Sequence, residues 1–230
     1  MIIVIAIFFM IVSLAVSARL KSKFRKYSKI GLRSGLSGGE VAELMLRDHG
    51  IHNVRVTSVQ GSLTDHYNPS NRTVNLSEEV YFGRSAAAAA VSSQECGHAV
   101  QHATGYGALE FRSALVPIQN VSGKILNFIV LASIFGGAFL FSAFPFDMIL
   151  LLIIGCYFIL TLFSFVTLPV EFNASNRALQ WIRNRNIVDT TEHGMAKDAL
   201  KWAAMTYVVA AIGSLASLIY YIMLFLGSRE

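Results

Sequence analysis

The chain has 230 residues, of which 54% are hydrophobic and only 14% charged, and its mean hydropathy is +0.53. That balance excludes an ordinary soluble domain and indicates an integral membrane protein. The net charge of +5 is concentrated: Arg19, Lys21, Lys23, Arg25, Lys26, Lys29 and Arg33 fall in one stretch with no acidic residue among them. Next to an apolar run, such a stretch reads as an orientation signal or a surface for anionic lipid, not as a nucleic-acid arm.

The first apolar run covers residues 2–18. No basic residue precedes it, no clear small-residue cleavage site ends it, and its positive cluster comes after it, so it is expected to be a permanent anchor with its N-terminus outside. Residues 19–124 then form a cytoplasmic region. Ser37-Gly38-Gly39-Glu40 has the pattern of a capping box and predicts a helix over 40–48 that Gly50 stops. His52 to Val59 is rich in β-branched residues and predicts a short strand. Asn68-Pro69-Ser70-Asn71 predicts a turn, and 72–76 a second strand. Ser77 or Ser85 would cap the next helix. From Ala86 a strongly helical stretch runs to about residue 104, where Gly105 and Gly107 end it.

Three further apolar runs are long enough to cross a membrane: 125–144, 148–170 and 203–226. The loop between the first two lacks Lys and Arg. The segment 171–201 holds Arg177, Arg183, Arg185, Lys197 and Lys201. Positive-inside counting therefore places 19–124 and 171–201 on the cytoplasmic side and both termini outside. The expected division is helix 1 over 1–18, a cytoplasmic region over 19–124 with motif helix 86–104, helices 2 and 3 over 125–170, a cytoplasmic segment over 171–201, and helix 4 with its tail over 202–230.

Within the Ala86 helix lies Gln94-Glu95-Cys96-Gly97-His98. This is the H-E-x-x-H zinc-peptidase pattern with glutamine at the first ligand position. In that chemistry two imidazoles one turn apart hold zinc, the glutamate acts as general base, and a third protein ligand leaves one position open for water. His98 takes the second ligand position and Glu95 that of the base. Alone, His98 would read as a packed helical histidine and Glu95 as a surface carboxylate. The candidate third ligand is Glu171, at the end of the third apolar run, and Ser175 one turn later is a candidate orienting group. His102 lies one turn beyond His98; it could form a shifted pair with it, but that pair would have Ala99 where a glutamate is needed, so a polar residue near the helix end is the simpler reading. Cys96 points off the metal face. His193 and Tyr207 are accessory candidates, weighed against a solvated histidine and an interfacial tyrosine.

Asn68-Pro69, Thr73-Val74-Asn75-Leu76-Ser77-Glu78, Gly83-Arg84-Ser85, Glu95 to His102, Arg112 to Pro117, Pro169 to Ser175 and Thr206-Tyr207-Val208 together resemble the YugP-like family of bacterial membrane neutral zinc metallopeptidases, over nearly the whole chain. The Glu171-Phe172-Asn173-Ala174-Ser175 segment is also similar to the E-F-x-A-D segment of the HtpX heat-shock protease group. The resemblance implies a mainly α membrane protein with four transmembrane helices and a zincin-like α+β cytoplasmic region. It implies a gluzincin-type peptidase of the bacterial inner membrane, with Zn2+ on positions 94, 98 and 171 and Glu95 as base. Peptides or membrane-protein segments would be its substrates and the lipid bilayer its surroundings, with no nucleic acid. The strand Thr73, Val74, Asn75 and Leu76 is expected to bind an extended peptide by edge addition.

Position 94 departs from the family pattern. An amide is a neutral oxygen donor, poorly matched to zinc beside imidazole, so an inactive or impaired enzyme is expected. Two other classes compete. A non-catalytic pseudoprotease would hold such segments without cutting them. A channel or transporter would need ionisable residues inside its spans, and the four apolar runs carry none that is clear.

Overall fold

A computed structural model describes residues 1–228, and within 137–143 the backbone only. In chain order the elements are α1 (Ile2–Tyr27), α2 (Gly38–Asp48), β1 (Arg55–Val59), β2 (His66–Asn68), β3 (Thr73–Ser77), the one-turn α3 (Glu78–Tyr81), α4 (Ala86–Ala103), α5 (Gly107–Ala143), α6 (Phe146–Asn184) and α7 (Thr190–Gly227). The protein is mostly helical with one small mixed sheet.

Four of these helices, α1, α5, α6 and α7, are long and apolar enough to cross a membrane, and they mark a multi-pass membrane protein. Each is longer than its apolar run. Hydropathy registers only the lipid-facing part of a helix, whereas α5 begins at Gly107 and α7 at Thr190, well ahead of the runs predicted at 125 and 203. Part of the second run, 137–143, lies outside the described side chains.

The chain divides into two compact units. One comprises Met1–Leu14, Phe111–Leu168 and the chain from Tyr207 onward. The other comprises Ala15–Glu110 and Pro169–Thr206. In the first, Phe9 packs where a side chain on Gly213 would be, and Tyr157 stacks on Tyr221 with ring centroids 5.3 Å apart.

The second unit is built around α4. Ser85 caps α4 by accepting from the Ala88 N–H at 3.2 Å. The helix closes with Gly105 at φ +60 and the Tyr106 N–H donating to the Gln101 carbonyl at 2.9 Å, a left-handed terminus that suits glycine. The alanine run serves close packing. Ala86, Ala89 and Ala90 meet Val41, Ala178, Ile182, Ala196 and Leu200, whereas Ala87, Ala88, Cys96, Ala99 and Val100 meet Ala42, Met45, Val74, Leu76 and Val80. The predicted box at Ser37 is present, with Glu40 N–H donating to Ser37 Oγ and Ser37 N–H to Glu40 Oε2. The helix it opens starts two residues earlier than expected, at Gly38, which lies against the backbone of Val80 with no room for a Cβ.

The sheet order is β1-β3-β2, with β1 and β3 parallel and β2 antiparallel to β3. This corrects the expectation for Thr73, Val74, Asn75 and Leu76. They lie in the central strand and are buried throughout: Thr73, Val74 and Asn75 pair with both neighbours and Leu76 with β1, so the strand is not a sheet edge. Thr73 donates to Asn71, Asn75 accepts from Thr57, and Ser77 donates to Asp65, so the polar side chains of the strand are satisfied. The edges are β1 and β2, and the one hydrogen-bonded to the motif helix is β2, which no sequence pattern marked.

Candidate active site

The motif residues sit mid-helix on α4, and Glu171 lies on α6 in the same unit. Gly97 makes the approach of these helices possible. A Cβ there would lie 2.7 Å from the Ala174 carbonyl oxygen. Gly97→Ala is therefore expected to lower stability by about 1–3 kcal/mol through forced separation of the helices. Thermal unfolding in detergent would measure it, and a parent-like transition would refute the close approach.

Gln94, His98 and Glu171, all buried, converge on one oxygen. Gln94 Nε2 donates to Glu171 Oε2 at 3.1 Å, and His98 Nε2 lies 3.5 Å from the same atom. Only the N–H2 side of the amide can face a carboxylate favourably, which fixes its orientation. Residues 94 and 98 share a helix face, being one turn apart.

The other ring nitrogen of His98 is held by a residue the sequence did not single out. Gln101 is fully buried. Its Nε2 donates to the Val170 carbonyl at 2.8 Å and to Asn173 Oδ1 at 3.0 Å. Its Oε1 is thereby turned to His98 Nδ1 at 3.0 Å and accepts a hydrogen bond from the Nδ1–H. In the neutral ring this leaves the Nε2 lone pair aimed at Glu171. Asn173 Oδ1 also accepts from Arg177 Nε at 2.7 Å. Gln101 could have been suspected only from its spacing, one turn beyond His98.

Glu95 faces a different neighbour. Its Oε2 accepts the backbone N–H of Tyr67 on β2 at 3.0 Å. Burial pushes its carboxyl upward; His98 opposes this, Glu171 and Asp65 add to it, and the Tyr67 N–H opposes it. At His98, burial alone would lower the proton affinity. The hydrogen bond to Glu171 and the charges of Glu95 and Glu171 outweigh burial, and the net shift is upward. The Cys96 thiol, donating to the Ala42 carbonyl at 3.5 Å, is pushed well up by burial and is turned from the site, as expected.

The remaining candidates fall elsewhere. Ser175 is buried one turn after Glu171, but its Oγ has no hydrogen-bond partner among the described residues. The orienting contact comes from Gln101 instead. His102 is exposed and its Nδ1 lies 2.7 Å from the Tyr67 hydroxyl, away from His98. His193 lines a separate cavity of about 890 Å³ with Arg33, Arg183 and Asp189. Tyr207 is part-buried on α7 in the other unit. Among the described residues no three His, Cys, Asp or Glu side chains are grouped so as to hold a metal. With an amide at 94, the donor set stops at one imidazole and one carboxylate.

No solved structure matches the chain. A "Putative membrane protease YugP" of Bacillus subtilis (strain 168) is 41% identical over 212 residues, which cover 92% of this chain and 91% of that protein. The family model described as "Putative neutral zinc metallopeptidase" matches residues 2–226. That match takes in the motif helix, Glu171 and the apolar helices alike, and the chain belongs to this family of membrane-associated zinc metallopeptidases.

Proposed function

We propose that this protein is a membrane-embedded zinc metallopeptidase scaffold, acting on peptide bonds near the cytoplasmic membrane face, whose activity is reduced or lost through Gln94. The observation that carries the reading is the convergence of positions 94, 98 and 171 on Glu171 Oε2, with Glu95 on the same helix. The residues fit zinc in part. Gln101 holds a proton on His98 Nδ1, so Nε2 is the ring nitrogen left to bind a metal in the neutral form, and Glu171 supplies an anionic oxygen, as the metal prefers. Gln94 supplies neither, and offering its Oε1 would mean abandoning its hydrogen bond to Glu171.

In this reading His98 and Glu171 hold the metal. Zinc, when present, supplies the Lewis acidity that makes water nucleophilic near neutral pH. Glu95 would be the group that takes a proton from that water and returns it to the leaving amine, and burial raises its affinity for the proton. The Tyr67 N–H orients the acceptor oxygen. Because β3 is central and β2 is the edge strand hydrogen-bonded to Glu95, an extended substrate would lie along the outer side of β2. The basic residues of α1 and of 171–201 support a cytoplasmic site in the inner membrane with both termini outside.

The roles are separable in a Gln94→His background. Glu95→Gln is expected to lower turnover by roughly 10²–10⁴-fold while zinc content stays unchanged. Glu171→Ala is expected to lower zinc content itself. Elemental analysis and peptide hydrolysis read these out, and equal zinc loss in both variants would overturn the assignment. The second reading, a pseudoprotease, rests on Gln94 itself. It would be favoured if the chain as written bound peptide tightly without cleaving it.

A further inference from the structure

The basic stretch after the first apolar run is not uniformly used by the fold. Lys23 is committed inward: its Nζ lies 2.6 Å from Asp198 Oδ2 and 3.4 Å from the Tyr27 hydroxyl. Arg19 lies over the Trp202 ring at 5.8 Å. Phe24 and Tyr27, on that side of α1, are buried in the core. The opposite face is different. Lys21, Arg25 and Lys29 succeed one another at intervals of four, and with Ala18, Ser22 and Lys26 they line an open groove of about 430 Å³. Lys21, Arg25 and Lys29 are exposed and have no acidic partner among the described residues. The first acidic residue of the chain is Glu40.

We infer that this stripe is a binding site for the phosphate headgroup of an anionic phospholipid. Lys21 and Arg25 lie on α1 itself, the continuation of an apolar helix long enough to cross a membrane, and Lys29 lies in the turn that follows it. From Ala18 to Tyr27, where α1 ends, is about 14 Å at 1.5 Å per residue, and Lys29 follows two residues on, so the first cations enter the headgroup layer and the others lie within roughly a further Debye length of about 8 Å. A topological signal alone requires positive charges, but it does not require them to be aligned on one protein-free face. Three cations in register along a groove match a phosphate-bearing surface, and Arg25 can take phosphate oxygens in a bidentate manner. A Ser22 hydroxyl between them adds a neutral donor. The inference does not depend on the peptidase reading.

The test uses the full chain in a neutral detergent, titrated with phosphatidylglycerol or phosphatidylcholine. Retained lipid is counted by native mass spectrometry, and thermal stability is followed in parallel. Saturable binding of phosphatidylglycerol but not phosphatidylcholine is expected, at least tenfold weaker in K21Q/R25Q/K29Q and unchanged in R47Q/R55Q, which removes two exposed cations elsewhere. Circular dichroism checks that the triple variant is folded; should it fail, the single variant R25Q is expected to show a smaller loss of the same kind. Equal phosphatidylglycerol binding in all folded variants would overturn the site. So would equal stabilisation by inorganic phosphate at the same concentration, since that would make the ligand a free anion.

Discussion

Gln94→His is expected to raise zinc content from well below one to about one ion per chain and to create measurable peptide hydrolysis. The replaced amide meets Glu171 through its N–H2 group, so it consumes an oxygen that the metal needs and contributes no lone pair of its own. An imidazole at 94 would sit on the same face as His98, release Glu171 Oε2 from that hydrogen bond, and complete a set of three protein donors with one position open. Losing even an outer-shell partner costs 10–100-fold in metal affinity, so exchange of a direct ligand should exceed about 100-fold. The gain has a readout besides activity. With free zinc at a hundred times its Kd, binding should stabilise the folded protein by about 2.7 kcal/mol, giving a zinc-dependent melting shift in the variant and little in the parent. Competition titration against a chelating dye measures the affinity directly. If Gln94→His bound no more zinc than the parent, positions 94, 98 and 171 would not form a metal site.

The parts of this protein that could be read from its sequence are those with a local chemical signature. Long apolar runs gave the spans, because lipid selects side chains residue by residue. The Ser37–Glu40 box and the Gly105 terminus were visible because their chemistry is contained in a few adjacent residues. Glu171 was found because a carboxylate at the end of an apolar run is conspicuous. The misses have a common cause. His66-Tyr67-Asn68 is too short to show alternation, and its membership of the sheet depends on β3, with which it pairs across a turn. The parallel pairing of β1 with β3 puts β3 in the centre, and nothing within Thr73–Ser77 can announce its neighbours. Gln101 resembles any helical glutamine until Val170 and Asn173 are brought to it by α6.

Gln101 therefore offers a test of how the fold supports the candidate ligands. It joins two functions in one side chain: Oε1 fixes the proton on His98 Nδ1, and Nε2 ties α4 to Val170 and Asn173 just ahead of and behind Glu171. In a Gln94→His background, Gln101→Met is expected to weaken zinc binding by about 10–100-fold, because the imidazole loses the acceptor that sets its tautomer and angle. It should also lower stability by about 1–3 kcal/mol, since the Val170 carbonyl and Asn173 amide lose a buried donor. Gln101→Glu separates the two. It keeps an acceptor for His98 Nδ1 but lacks the N–H2 group, so it should lose stability while retaining more of the zinc affinity than Gln101→Met. Nitrogen-15 spectra of the histidines provide a measure that mere loosening of the fold would not reproduce: in the Gln101→Met variant His98 should shift from the Nδ1–H form toward a mixture. If zinc affinity fell equally in both variants, with the His98 tautomer unmoved, Gln101 would be a packing residue and the orientation of His98 would have to come from elsewhere in α4 and α6.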